Sequence, residues 1–234
     1  MRLRFLFFII SIITFTGNAQ TFQHHVVEVG DFTQLVVNNG VNVDYCSVAD
    51  SAGLAVFDAP PSITNYIQFK NNGKGKLEIE IELNEDNQYP RNLPTVKVYS
   101  RFLTNIENSA DSTVRAMNVN AGPKFKAVLI GNGRLSLKDI YTEELTAKIM
   151  TGRGQLAVSG KSQKANLSIT GVGAIQADEL VAAVVSANVT GPCTIGCNAT
   201  EGLTVKGTGP GTVYYVGQPK VIKNRSISGK VKSL

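Results

Sequence analysis

Two carboxylates, Asp139 and Glu179, come nearest in this chain to the residue types and spacing that acid–base chemistry requires. Each stands six places after the third residue of a recurring glycine phrase, Gly131-Asn-Gly and Gly171-Val-Gly, and Gly160 holds the equivalent place between them. Stacked two coils apart at the spacing of neighbouring strands, they would be separated by about 9.6 Å. That is the upper edge of what an inverting glycosidase needs between its acid and its base. Carboxylates at the corner of a coil are also ordinary surface, and that is the simpler account of both. The histidines offer less. His24 and His25 are adjacent on an expected strand, so their rings point to opposite faces and cannot hold one ion together. Serine and threonine are plentiful, but no nucleophile elbow surrounds them. The glycine phrases lack the following helix and the lysine of a phosphate-binding loop. No catalytic residue, metal ligand or cofactor is assigned on this reading, and the binding residues are left unknown.

The cysteines are three, Cys46, Cys193 and Cys197. Cys193 and Cys197 lie four apart on one expected strand, about 13 Å between Cα atoms, which is beyond disulfide reach. With two histidines in the whole chain, a metal site built on that pair is not expected. Cys197 shares the register of Leu137, Val158 and Ala177 and is expected buried; Cys193 replaces a corner glycine and is expected to be more accessible. Four Asn-x-Ser/Thr triplets begin at Asn166, Asn188, Asn198 and Asn224. They would be glycosylation acceptors in a secreted eukaryotic protein, and in a bacterial chain rich in these residues they are chance. There is no tryptophan, and Tyr141 and Tyr214 are the outward aromatics expected in the second half, in coils too far apart to form one sugar platform.

What must position all these residues is the repeat itself. The copies read Gly131-Asn-Gly-Arg-Leu-Ser-Leu, Gly152-Arg-Gly-Gln-Leu-Ala-Val, Gly171-Val-Gly-Ala-Ile-Gln-Ala, Gly191-Pro-Cys-Thr-Ile-Gly-Cys and Gly209-Pro-Gly-Thr-Val-Tyr-Tyr, flanked by degenerate copies at Ala110 and Ile227. Their third residues fall at 112, 133, 154, 173, 193, 211 and 229, in steps of 18 to 21. A fixed period near twenty marks a solenoid whose coils cannot bury their apolar faces alone. Such a coil fits three short strands and three corners, is too short for a helix-bearing repeat, and lacks the calcium-binding nonapeptide. Val114, Leu135, Leu156, Ile175, Ile195, Val213 and Val231 form one expected inward column, and Ala116, Leu137, Val158, Ala177, Cys197 and Tyr215 a second. Ala127 and Leu129, Leu167 and Ile169, and Ala187 and Val189 supply another stripe, in which Ala147 and Ile149 are shifted by one, as a bulge would shift them. Lys223 and Arg225 replace apolar residues in the last coil, where a charged cap would end the stack.

The fold expected is therefore all-β, a right-handed parallel β-helix or β-solenoid with coils of about 18–21 residues. Residues 20–103 form a less regular leading region, continuous with the repeat array at 104–234 and expected to cover the other end of the stack. Within it Lys76 to Leu83 alternates cleanly, with Leu77, Ile79, Ile81 and Leu83 inward and the glutamates outward. Residues 1–19 read as a signal peptide: Arg2 and Arg4, an apolar run from Phe5 to Phe15, and the small-residue site Gly17-Asn18-Ala19. The apolar run is too short for a membrane span, and no later segment reads as one. Without those arginines the balance is 21 basic to 18 acidic residues, so the basic character is mild. Six lysines and arginines follow Glu201, the last acidic residue, and with no aromatics between them they read as a solvated face rather than a nucleic-acid site.

The pattern resembles the exported bacterial family called putative auto-transporter adhesin, head GIN domain. The resemblance is carried by Gly40-Val41-Asn42, by the iterated glycine phrases and by Tyr215-Val216-Gly217-Gln218-Pro219, and runs from about Val27 to Val231. Valine stands where the name motif has isoleucine, and Ser112 and Cys193 stand where the family usually has glycine. Membership implies a β-solenoid at the envelope or cell surface and brings no catalytic residues. Three readings follow: a non-catalytic, exported envelope or surface module, adhesin-like, whose partner is an unknown protein or glycan; a carbohydrate-active β-helix enzyme, by analogy of fold; and a structural envelope component with no soluble ligand.

Overall fold

A computed structural model describes residues 22–223 and 228–234. The expected signal peptide and the cap residue Arg225 lie outside the described residues, as does Asn224. Seventeen strands run, in order, β1 (Gln23–Glu28), β2 (Gln34–Asn38), β3 (Asn42–Ser47), β4 (Leu54–Ala59), β5 (Ile67–Asn71), β6 (Lys76–Ile81), β7 (Thr95–Ser100), β8 (Leu103–Ser109), β9 (Thr113–Met117), β10 (Ala121–Leu129), β11 (Arg134–Ile149), β12 (Gln155–Thr170), β13 (Ala174–Thr190), β14 (Thr194–Thr208), β15 (Thr212–Val216), β16 (Lys220–Lys223) and β17 (Val231–Ser233). A four-residue helix, Pro61–Thr64, and one 3-10 turn are the helical elements among the described residues. The strands form a single sheet wound into a parallel β-solenoid of about six turns.

The columns read from the sequence are the hydrogen-bonded register of the structure. Val114 pairs with Leu135, and Leu156, Ile175, Ile195, Val213 and Val231 follow in line from coil to coil. From Val114 to Val213 the members are buried almost completely, because alternation at period two sends every second side chain inward. Ala127, Ala147, Leu167, Ala187 and Val205 make the matching column on another side. Here the structure corrects one expectation. Ala147 and Ile149 are in register with both neighbouring coils, so the strand carries no bulge at that point. The extra residue is taken up in the corner Met150–Gly154, where length is free to vary without moving the paired side chains.

The leading region joins the same stack in an order that is not the order of the chain. Strand β2 lies parallel between β6 and β8, and β3 lies parallel between β7 and β9. The first coil is thus sandwiched by a later coil on each side, and the inward columns run on through it: Val96, Val43 and Val114 in one, Leu77, Leu35 and Ile106 in the other. The stack then ends by changing direction. Strand β4 pairs antiparallel with β7, β1 with β4, and β5 with β6 through the turn Asn72–Gly75, so the last parallel edges are covered. In this cap His25 stacks on Phe57, which in turn packs tilted against Phe69. Leu83 does not belong to the inward row: β6 stops at Ile81, and Leu83 is 46% exposed in the loop that follows.

Two glycine columns make the corners possible. The first residue of each of the five full phrases is a glycine with positive φ, and a Cβ on Gly152 would strike the backbone of Gly131 in the coil before it. The third residue has the same parity as the inward columns and so points into the core. A Cβ on Gly133 would meet the carbonyl oxygens of Ala110 and Ser112, the latter at 2.6 Å. Where the third residue is not glycine it is small, Ser112 or Cys193, and both are buried. Buried Asn108 ties this corner together, donating to the carbonyls of Ser112 and Arg134 and accepting from the Ala110 N–H.

Candidate functional site

Each regular coil has three sides, represented by Arg134–Leu137, Ile140–Thr142 and Glu144–Ile149. On the first side the outward row reads Ser136, Ala157, Gln176, Gly196 and Tyr214. Its small members leave a shallow concavity of about 360 Å³, bounded by Lys138 on one coil and by Asp178 and Glu179 two coils on. The second side carries a comparable depression of about 380 Å³ beneath Tyr141, lined by Thr142, Lys161, Gln163 and Val181. Both are open dishes on the flanks of a rod, and neither is a cleft between domains.

The structure distributes the candidate residues as follows. Glu179 lines the first-side concavity beside Asp178, which the sequence reasoning passed over although it is the neighbouring residue. Asp139 stands at a corner in the left-handed conformation, its backbone N–H donating to Ser159 Oγ at 3.1 Å, and is not among the residues that line the concavity. His24 and His25 diverge: His24 Nδ1 lies 2.8 Å from Asp58 Oδ1, while His25 Nε2 meets the Ala59 carbonyl and Thr64 Oγ1. Tyr141, 60% exposed, and Tyr214, half-buried, stand on different sides of the solenoid. Among the acceptor triplets, Asn166 donates to Glu144 and Asn198 to the Asp178 carbonyl, while Asn188 is exposed. Among the described residues no three of His, Cys, Asp and Glu come together as a metal site, and no helix is long and apolar enough to cross a membrane.

Cys197 is buried in the second inward column between Ala177 and Tyr215. Burial pushes its thiol pKa up to about 12, with Asp178 adding to the shift. Cys193 is equally buried, at 3% exposure, which corrects the expectation that a corner cysteine is accessible. The reason is the parity of the corner column, and burial raises this thiol as well. Cys46 faces outward and is the partly exposed thiol of the three.

A parallel β-solenoid with closed corners, capped at one end by antiparallel strands and carrying shallow dishes on its flanks, defines a class of repeat proteins that present long rigid faces. Within that class the chain belongs to the family described as "Putative auto-transporter adhesin, head GIN domain", which it matches over residues 31–219. Solved structures share the fold. A putative adhesin from Bacteroides fragilis aligns with a TM-score of 0.83 at 23% identity, over 92% of this chain and 98% of that one. A putative lipid binding protein from Parabacteroides distasonis aligns at 0.66 and 18%, over 93% and 98%. A putative adhesin from Parabacteroides merdae aligns at 0.65 and 18%, with the same coverage. No curated protein matches.

Proposed function

We propose that this protein is a non-catalytic interaction module of the cell envelope or cell surface, adhesin-like, which binds its partner along a flank of the solenoid. The observation that carries the reading is the register of the outward rows. Ser136, Ala157, Gln176 and Gly196, from four successive coils, stand in line on one face without a bulge between them. A solenoid holds such rows rigidly, so a partner that matches them binds without ordering the receptor first. The family description and the putative adhesins that share the fold point the same way. Export by the N-terminal segment and a location in the envelope or at the surface are part of this proposal.

Catalysis is the weaker reading because glycosidic cleavage requires two carboxylates held across a bound sugar. Asp178 and Glu179 share one edge of an open dish, with Lys138 across it. The experiment is a binding screen of the purified protein against glycans and envelope proteins, run with a parallel assay for polysaccharide cleavage. Saturable binding without turnover supports the module. Cleavage that is abolished by Asp139→Asn or Glu179→Gln replaces it with an enzyme, and no binding at all shifts the reading to a structural component.

A further inference from the structure

The third side of the solenoid separates charge in a way that no single stretch of sequence displays. Its outward residues form three parallel rows. One runs Lys124, Glu144, Lys164, Val184, Gly202 and Lys220; the next runs Lys126, Thr146, Asn166, Ser186, Thr204 and Ile222; the third runs Val128, Lys148, Ser168, Asn188 and Lys206, and beyond buried Val128 it reaches Glu107 on β8. Lys148 and Lys206 in the last row stand about 14 Å apart, at three coil spacings. Between them and beside them lies a ladder of hydroxyl and amide groups repeated at every coil.

Glu144, the sole carboxylate of these rows from β10 to β16, is already engaged. Lys124 and Lys164 approach it from the coils on either side, at 3.8 and 3.6 Å, and Asn166 donates to it at 2.9 Å. Lys126, Lys148, Lys206 and Lys220 form no ion pair among the described residues. The other acidic residues of these coils, Asp139, Glu143, Asp178, Glu179 and Glu201, stand on the second side or its corners. From β10 to β16 the third side is therefore a net-positive surface, in which Val184 and Ile222 are the exposed apolar interruptions.

We infer that this face binds a linear anionic polysaccharide lying along the solenoid axis. The inference rests on the interaction-module reading above and names its ligand. Fixed cations attract a polyanion and raise its local concentration. The hydroxyl and amide ladder both donates and accepts, as the hydroxyls of a sugar chain require, and it recurs at the coil spacing so that a repeating polymer meets repeating partners. Nucleic acid fits less well, because no exposed aromatic side chain stands in these rows to stack on bases. Carboxylated and sulfated chains share the chemistry that the face recognises.

The test is affinity electrophoresis and calorimetry of the purified protein with polygalacturonate, dextran sulfate, neutral dextran and single-stranded DNA. Polygalacturonate or dextran sulfate should retard the protein saturably and more weakly as salt rises, neutral dextran should not, and DNA should bind less tightly. Lys148→Glu with Lys206→Glu should weaken binding by about tenfold or more, while Lys74→Glu, exposed in the turn Asn72–Gly75 of the cap, should change it by less than about threefold. The pair Lys148→Gln and Lys206→Gln, checked for an unchanged melting temperature, guards against a folding artefact and should also weaken binding. Failure of both polyanions to bind, equal loss with Lys74→Glu, or tighter binding to DNA would overturn the inference. If neutral glycans or a protein bind while the polyanions do not, the ligand class is wrong and the interaction module stands. If nothing binds, both readings fall.

Discussion

Arg115 donates through Nε and Nη2 to the two carboxylate oxygens of Asp44, at 2.7 and 3.0 Å, joining coils whose residues are 71 apart in sequence. Between them in the chain, though not in space, lies the whole of the coil that carries β6 and β7. The pair sits on the seam where β3 meets β9, the point at which the chain returns to stack on its first coil. Its planar fork geometry is the strong form of an ion pair, but Arg115 is half exposed and water screens the interaction. Replacing Arg115 with Ala should therefore cost only about 1 kcal/mol in denaturant unfolding. A loss several times larger would mean that the seam is held by this pair and not by Val43 against Val114.

Truncation in the inward column should be far more costly. Leu156→Ala or Ile175→Ala is expected to lose about 2–5 kcal/mol, because each side chain is fully buried between two coils. Glu82→Ala, at an exposed position beyond the end of β6, should change stability by less than about 0.5 kcal/mol. Comparable losses in chemical denaturation would contradict the assignment of inside and outside.

The two kinds of glycine should respond differently to alanine. At Gly133 the new methyl would press on carbonyl oxygens of the preceding coil, so Gly133→Ala should cost several kcal/mol or prevent folding. Gly73 has φ of +69° but open space around it, so Gly73→Ala should cost only about 1–2 kcal/mol from backbone strain. Melting curves of the two variants decide the matter, and similar losses would count against the close stacking of corners.

Thiol labelling of the native protein should modify Cys46 first and leave Cys193 and Cys197 untouched until the protein unfolds. Only the thiolate reacts, and burial holds both core thiols in the protonated form. Early modification of Cys193 would show that its side chain points out of the corner.

The Cys197 thiol also links stability to alkaline pH. Its folded pKa is raised, so its contribution is complete below the ordinary value near 9 and is lost as pH rises toward about 12. In that window the unfolded chain sheds a proton that the folded chain retains, which favours unfolding. Cys197→Ala should flatten this part of the stability profile relative to the unsubstituted protein, as measured by denaturant midpoints at about pH 7 and pH 10.5. An identical alkaline loss in the variant would assign the effect elsewhere, for instance to buried Tyr45, whose pKa is also raised by burial.

Much of this architecture is legible in one dimension. A parallel solenoid repeats a local pattern, so the period near twenty and the alternation around Leu135, Leu156, Ile175 and Ile195 are enough to define columns and inside from outside. The burial of Cys193 was within reach of the same logic, since its parity matches that of Ile195 and Cys197. Other features needed three dimensions. Which coil stacks on which is decided by pairing between distant strands, and the alternating residues of β2 suit β6 and β8 equally, so the sandwiched first coil leaves no local signature. The lysine face is the same kind of fact. Lys126, Lys148 and Lys206 are scattered along the chain at unequal intervals, and corners of different length bring them to one surface only when the coils close. Local periodicity determines what each residue faces, whereas the company it keeps across the surface depends on how the coils are stacked.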